Sequence, residues 1–229
     1  MSESDHPALP EVEIAAAAAV QRLGDALLGH HVDPAVSAEV ASVVAALADR
    51  VEGSERRSKA EAFQQYSGHQ RIEHYLETGS WPPAPANGAP VMFDALSLIG
   101  GPLSPISAGA RYHRDGDEVV AQVRFGPTFE GPPLRVHGGA LASTFDEVMG
   151  AVFRILALPS AFTASLTIRY EAPAPIGERL EFRARLADAD GRKYTVEAVA
   201  TGPDGRFASA TALFIEMSPE HLARAVAGE

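Results

Sequence analysis

The sequence predicts an α+β fold: one long helix wrapped by a mostly antiparallel sheet, preceded by a helical extension. Three observations predict it. Hydrophobic spacing is helical through the first third of the chain and alternating after a proline-rich break at 81–90. Four strand-like runs separated by strong turn signals close the chain. A single helix among these strands, roughly Gly139 to Leu156, is apolar around much of its circumference, so a sheet is expected to wrap it.

The elements follow in order. A first helix, from about Val12 to Leu28, carries Val20, Leu23, Leu27 and Leu28 as its stripe. Asp33-Pro34 then offers an N-cap with proline at the first helical position. Val36, Val40, Val43, Val44, Leu47 and Val51 recur at helical spacing up to Gly53. A third, weaker helix covers Ser58 to Thr78. The run Trp81-Pro82-Pro83-Ala84-Pro85 opens a segment that no helix or central strand accepts. A strand follows at Val119 to Phe125, then the long helix, then strands at Phe162 to Tyr170, Leu180 to Ala187, Tyr194 to Thr201 and Phe207 to Phe214. The implied organisation is a helical region at 1–80, a linker at 81–90, the α+β domain at 91–219 and a tail at 220–229.

Composition narrows the function classes. The 229 residues carry a net charge of −11 and no cysteine. The charge disfavours nucleic acid and anionic membrane surfaces as partners, and the missing cysteines exclude a thiolate nucleophile, a disulfide scaffold and a cysteine-ligated metal. The alanine run Ala15 to Ala19 follows Glu11 and Glu13 without a basic leader, so it does not read as a signal peptide, and the apolar runs fall short of a membrane span. A cytoplasmic protein is expected.

The chemistry concentrates in His137-Gly138-Gly139 and the helix it opens. Glycines let a ligand approach bare N–H groups at a helix N-terminus, where the macrodipole favours developing negative charge. Asp146, among Phe145, Val148, Met149 and Val152, suits a general base. Glu147 is a rival, rotated about 100° around the helix. His137 is expected to hold the turn through a side chain to backbone hydrogen bond or to line the substrate pocket, a positioning role rather than that of a general base. Gly139 and Asp146 share a face but stand roughly 10 Å apart along the axis, too far for one carbonyl to meet both. A composite site across a two-fold dimer resolves this. Thr163, Ser165 and Thr167 occupy one face of the following strand, opposite Phe162, Ala164, Leu166 and Ile168. A hydroxyl from that face could orient water. Arg192 and Lys193 offer cations to a phosphate, or form a solvated turn.

Taken together, these residues resemble the hotdog-fold acyl-CoA thioesterases of the phenylacetate-pathway type, and among them thioesterase superfamily members 4 and 5. The likeness covers roughly Gly100 to Pro219. It rests on His137-Gly138-Gly139 with Asp146, on Thr163 to Tyr170 followed by Pro173 and Pro175, on Gly191-Arg192-Lys193, and on Ala212 to Ile215. The resemblance implies hydrolysis of acyl-CoA to a carboxylic acid and CoA, a homodimer or dimer of dimers, and neither metal nor redox cofactor. It implies that the Gly139 amide polarises the thioester carbonyl, that Asp146 activates water or attacks directly, and that Thr163 helps hold the water. Gly138, Arg192 and Lys193 would contact substrate. One departure stands out. Some relatives carry an asparagine shortly before the histidine, where this chain has Glu130 to Arg135.

A different class of function is a non-catalytic acyl-CoA-binding regulator with an N-terminal interaction module. Residues 1–90 carry 13 Asp/Glu against 6 Arg/Lys, a net of −7 and the wrong sign for DNA. A hotdog hydratase is disfavoured too, because Leu134-Arg135-Val136 precede His137 where an Asp near the His is expected. For the helical extension, a packing or lid role over the acyl site is expected.

Overall fold

The structure is a computed structural model, and it describes residues 10–58, 61, 69–91 and 94–227. Three helices come first: α1 (Glu11–Gly29), α2 (Pro34–Glu52) and α3 (His69–Thr78). Then follow β1 (Arg111–Asp115), β2 (Glu118–Arg124), α4 (Gly138–Ile155), β3 (Ala161–Tyr170), β4 (Arg179–Asp190), β5 (Lys193–Gly202), β6 (Gly205–Glu216) and α5 (Pro219–Ala227). All strand pairings are antiparallel, in the order β1-β2-β4-β5-β6-β3. This is the hotdog fold, with α4 packed against the sheet.

Alternation makes the sheet one-sided. In β5 the buried positions Tyr194, Val196, Ala198 and Ala200 alternate with more exposed ones. They meet Phe145, Val148, Met149 and Val152 of α4, all fully buried, in one core. Edge-to-face contacts such as Phe145 on Phe182, with centroids 5.0 Å apart, add specificity to that packing. No helix among the described residues is long and apolar enough to cross a membrane.

Asp33 caps α2 as its spacing predicts, accepting from the Ala35 N–H at 2.7 Å. The α2 stripe nevertheless stays largely in solvent: the helix contains no buried residue, and Val43, Val44, Leu47 and Val51 are exposed in the single chain. Part of the expected third helix, 59–60 and 62–68, lies outside the described residues. Two elements escape the sequence pattern. β1 reads Arg-Tyr-His-Arg-Asp, with Tyr112 alone buried, and α5 occupies most of the stretch expected as a tail. The proline-rich segment ends against the sheet: Val91 N–H donates to Tyr112 O and Arg114 N–H to Ala89 O. Beyond it, Ile72 of α3 is buried with Met217 and Leu222, beside Tyr75 and Trp81.

Candidate active site

His137 is the N-cap of α4. Its Nδ1 accepts from the Gly139 N–H at 2.9 Å, and its carbonyl accepts from the N–H groups of Ala140 and Leu141. The His137 ring thus holds the turn, and the amide expected to polarise a carbonyl is taken by the cap. Tyr170 Oη donates to the Gly138 carbonyl at 2.9 Å, tying the end of β3 to the start of α4. A side chain at Gly139 would place Cβ 3.0 Å from His137 Nδ1, so the imidazole would have to shift by a few tenths of an ångström to admit it. Just upstream, Leu134 adopts a φ of 63°, a left-handed conformation unfavourable for a large side chain.

One face of α4 is left open. Gly139 and Asp146 are exposed, while Ala142, Ser143 and Gly150 between and beyond them are half-buried. Asp146 accepts a hydrogen bond from Thr163 Oγ1 at 2.8 Å. That pairing requires a break in the strand. β3 pairs with β6 through Thr163↔Phe214 and Ser165↔Leu213, which leaves Ala164 as an extra residue. Strict alternation would set Thr163 on the face opposite Leu166 and Ile168. Instead, Leu166 and Ile168 pack on the core and Thr163 also turns toward α4. Bulges commonly re-aim a side chain in this way. The shared face expected for Thr163, Ser165 and Thr167 is thus corrected by one inserted residue.

Glu147, the rival base, has a different task. Its carboxyl is buried and accepts from the Ile99 N–H at 2.9 Å, the Gly100 N–H at 3.2 Å and Tyr112 Oη at 2.8 Å. Burial pushes its pKa up and the hydrogen bonds from Tyr112, Ile99 and Gly100 pull against that shift. The side chain anchors the 97–100 turn and β1 to α4, and it faces away from Asp146.

A cavity of about 360 Å³ opens beside Asp146 and Thr163. It continues past Gly150 to Phe153, Arg154, Phe214 and Met217, and α3 closes it with Arg71 and Ile72. Gly150 and Arg154 are legible as its lining from helical period alone, lying four and eight residues after Asp146. Arg71 carries no such signal, since a long-range contact brings it there.

The basic turn is nearby in register. Lys193 pairs with Ile215, and Ile215 with Phe162, so the turn sits at the Thr163 end of the sheet, roughly two strand spacings or 10 Å away. Arg192 spends one donor on the Glu216 carbonyl at 2.6 Å, and Lys193 is exposed. No cluster of three or more His, Asp or Glu among the described residues could hold a metal.

Comparison with known proteins finds a family and several relatives. Residues 135–208 match the thioesterase superfamily. The chain is 32% identical over 110 residues to the acyl-coenzyme A thioesterase THEM4 of Xenopus laevis, covering 47% of this chain and 49% of that protein. It is 32% identical over 111 residues to the Mus musculus protein of the same name, covering 48% and 47%. The chain thus spans about half the length of the curated relatives it matches. A crystal structure described as a thioesterase superfamily protein superposes with a TM-score of 0.68 at 23% identity, over 93% of this chain and 94% of that one. Residues 135–208 are thus similar to the thioesterase superfamily, and the chain has the hotdog fold.

Proposed function

We propose that this protein hydrolyses acyl-CoA thioesters to a free carboxylic acid and CoA at a site shared between two protomers. The observation that carries the reading is the Asp146–Thr163 pair, hydrogen-bonded at 2.8 Å beside a partly open, largely apolar cavity. Asp146 takes a proton from water, and the resulting oxygen attacks the thioester carbonyl carbon. Thr163 holds the carboxylate, and with it the water, in line. The oxyanion forms against the Gly139 N–H of the other protomer, where the carbonyl oxygen replaces His137 Nδ1 as acceptor at the positive end of α4. The carbon–sulfur bond then breaks, and the CoA thiolate leaves and is protonated. Arg192 and Lys193 lie where the CoA phosphates could be met.

Two protomers are invoked for a geometric reason. Gly139 and Asp146 of one helix are separated by roughly 10 Å, whereas antiparallel helices offset by about half their length would place each N-terminus near the other's midpoint. The outer edge of β3, ten residues long with Phe162 and Tyr170 exposed, offers the means of association.

Asp146→Asn tests the assignment. Thiol release from acyl-CoA should fall by roughly 10²–10⁴-fold, the usual worth of a positioned general base, while binding of acyl-CoA by calorimetry persists. Turnover close to that of the unaltered protein would reject Asp146.

A further inference from the structure

Among the described residues, the Arg154 end of the cavity holds more positive than negative charge. Arg71 comes from α3, Arg154 from α4, and Asp94 is the acidic partner that acts on Arg154. Both guanidinium groups are withdrawn from water, which lowers each to about 10, and Arg71 feels Arg154 as a further like charge. Arg71 meets no carboxylate among the described residues. Its Nη2 donates to the carbonyls of Phe153, at 3.0 Å, and Leu158, and its guanidinium lies over the Trp81 ring at 4.8 Å. A guanidinium has five donors, and both of these bonds leave from one nitrogen. A partly buried cation without an anion carries a desolvation cost that a carboxylate ligand would offset.

Dimensions set the rest. Asp146 and Arg154 are eight residues apart on one helix, roughly 12 Å along its axis. Phe153, Phe162 and Phe214 make the intervening walls apolar. A six-carbon diacid chain spans about 6 Å between its end carbons when extended, which fits within that length.

We infer that the N-terminal helix α3 completes the acyl pocket, and that Arg71 selects acyl groups ending in a carboxylate, the ω-carboxyacyl thioesters. The inference rests on the thioesterase reading above and assigns its substrate class. The methylenes would lie along the phenylalanines and the distal carboxylate would pair with the guanidinium fork. Such a chain balances the charge of the Arg154 end, whereas a plain fatty acyl group of the same length leaves it unmatched.

The test compares adipoyl-CoA with hexanoyl-CoA, equal in carbon number, by thiol release from the full chain. The intact protein should favour adipoyl-CoA at least tenfold in kcat/KM. Arg71→Met should collapse that ratio to near unity, and Asp146→Asn should suppress both substrates. Arg71 also binds the end of α4, so Arg71→Lys is measured alongside; retaining the cation without the fork, it should keep part of the preference. Hexanoyl-CoA hydrolysed as fast as adipoyl-CoA overturns the inference and leaves the thioesterase reading intact. A preference that survives Arg71→Met overturns the role of Arg71. Hydrolysis of neither ester, nor of other acyl-CoA esters, overturns the thioesterase reading and with it this one.

Discussion

Adjacent carboxylates on α4 have opposite fates because 100° of helix rotation separates solvent from core. Asp146 stays exposed and holds Thr163, while Glu147 is buried under the 97–100 turn. Replacing Glu147 by Ala strands the Ile99 and Gly100 amides and the Tyr112 hydroxyl. At about 1–3 kcal/mol for each unsatisfied buried donor, the loss should reach about 3 kcal/mol or more in denaturant unfolding. The group also carries a pH signature. Its folded pKa lies above the ordinary 4.5 because burial disfavours the charged form, so the folded state holds the proton more tightly than the unfolded chain. Its contribution to stability is therefore full below the unfolded value and declines as pH rises through the raised one. Unfolding free energies of the intact protein and Glu147→Gln, measured across that range, should diverge with this sign; parallel curves would show that Glu147 is not perturbed.

At the scale of elements, the strand that carries Thr163 depends on a single inserted residue. Ala164 shifts the pairing of β3 with β6 and brings Thr163 to the helix side. A hydrogen bond to a charged group is worth about 1.5–3 kcal/mol. Thr163→Val should accordingly lower kcat by roughly 10–100-fold at about 1.4 kcal/mol per decade, and Thr163→Ser should restore most of it. Equal rates for the valine and serine variants would remove the hydroxyl from the mechanism. Such a bulge is invisible to period-2 reading, since Phe162 to Ile168 alternate in sequence without interruption. By contrast, α4 was legible almost to its ends. Its His-Gly-Gly start and its apolar circumference are local properties, and the observed bounds, Gly138–Ile155, lie within one residue of the expected ones. β1 was not legible, because its charged residues face solvent on a sheet edge and only Tyr112 turns inward.

For the whole molecule the central prediction is symmetry. If each site takes Gly139 from one protomer and Asp146 from the other, two inactive proteins can rescue one another. Gly139→Pro would remove the N–H proposed to meet the oxyanion, at a first-turn position of α4 where proline is tolerated. Co-refolded with Asp146→Asn, it should form mixed dimers carrying one intact site and one doubly altered site. Random pairing returns roughly one quarter of the unaltered activity. No recovery, despite mixed dimers seen by mass, would refute a shared site. Association also bears on the helical extension, since α2 has no buried residue and several exposed valines in the isolated chain.

By itself the sequence determined the α+β class, the long wrapped helix, the turn chemistry at His137-Gly138-Gly139 and the placing of Asp146 seven residues beyond. These follow from period, caps and glycine, whose physics acts within a few residues. Tertiary structure alone decided which carboxylate is buried, which strand face Thr163 occupies, and that Arg71 closes a cavity against α4 from 83 positions before Arg154. Those outcomes depend on burial, register and charge brought together across the chain, and no local spacing encodes them.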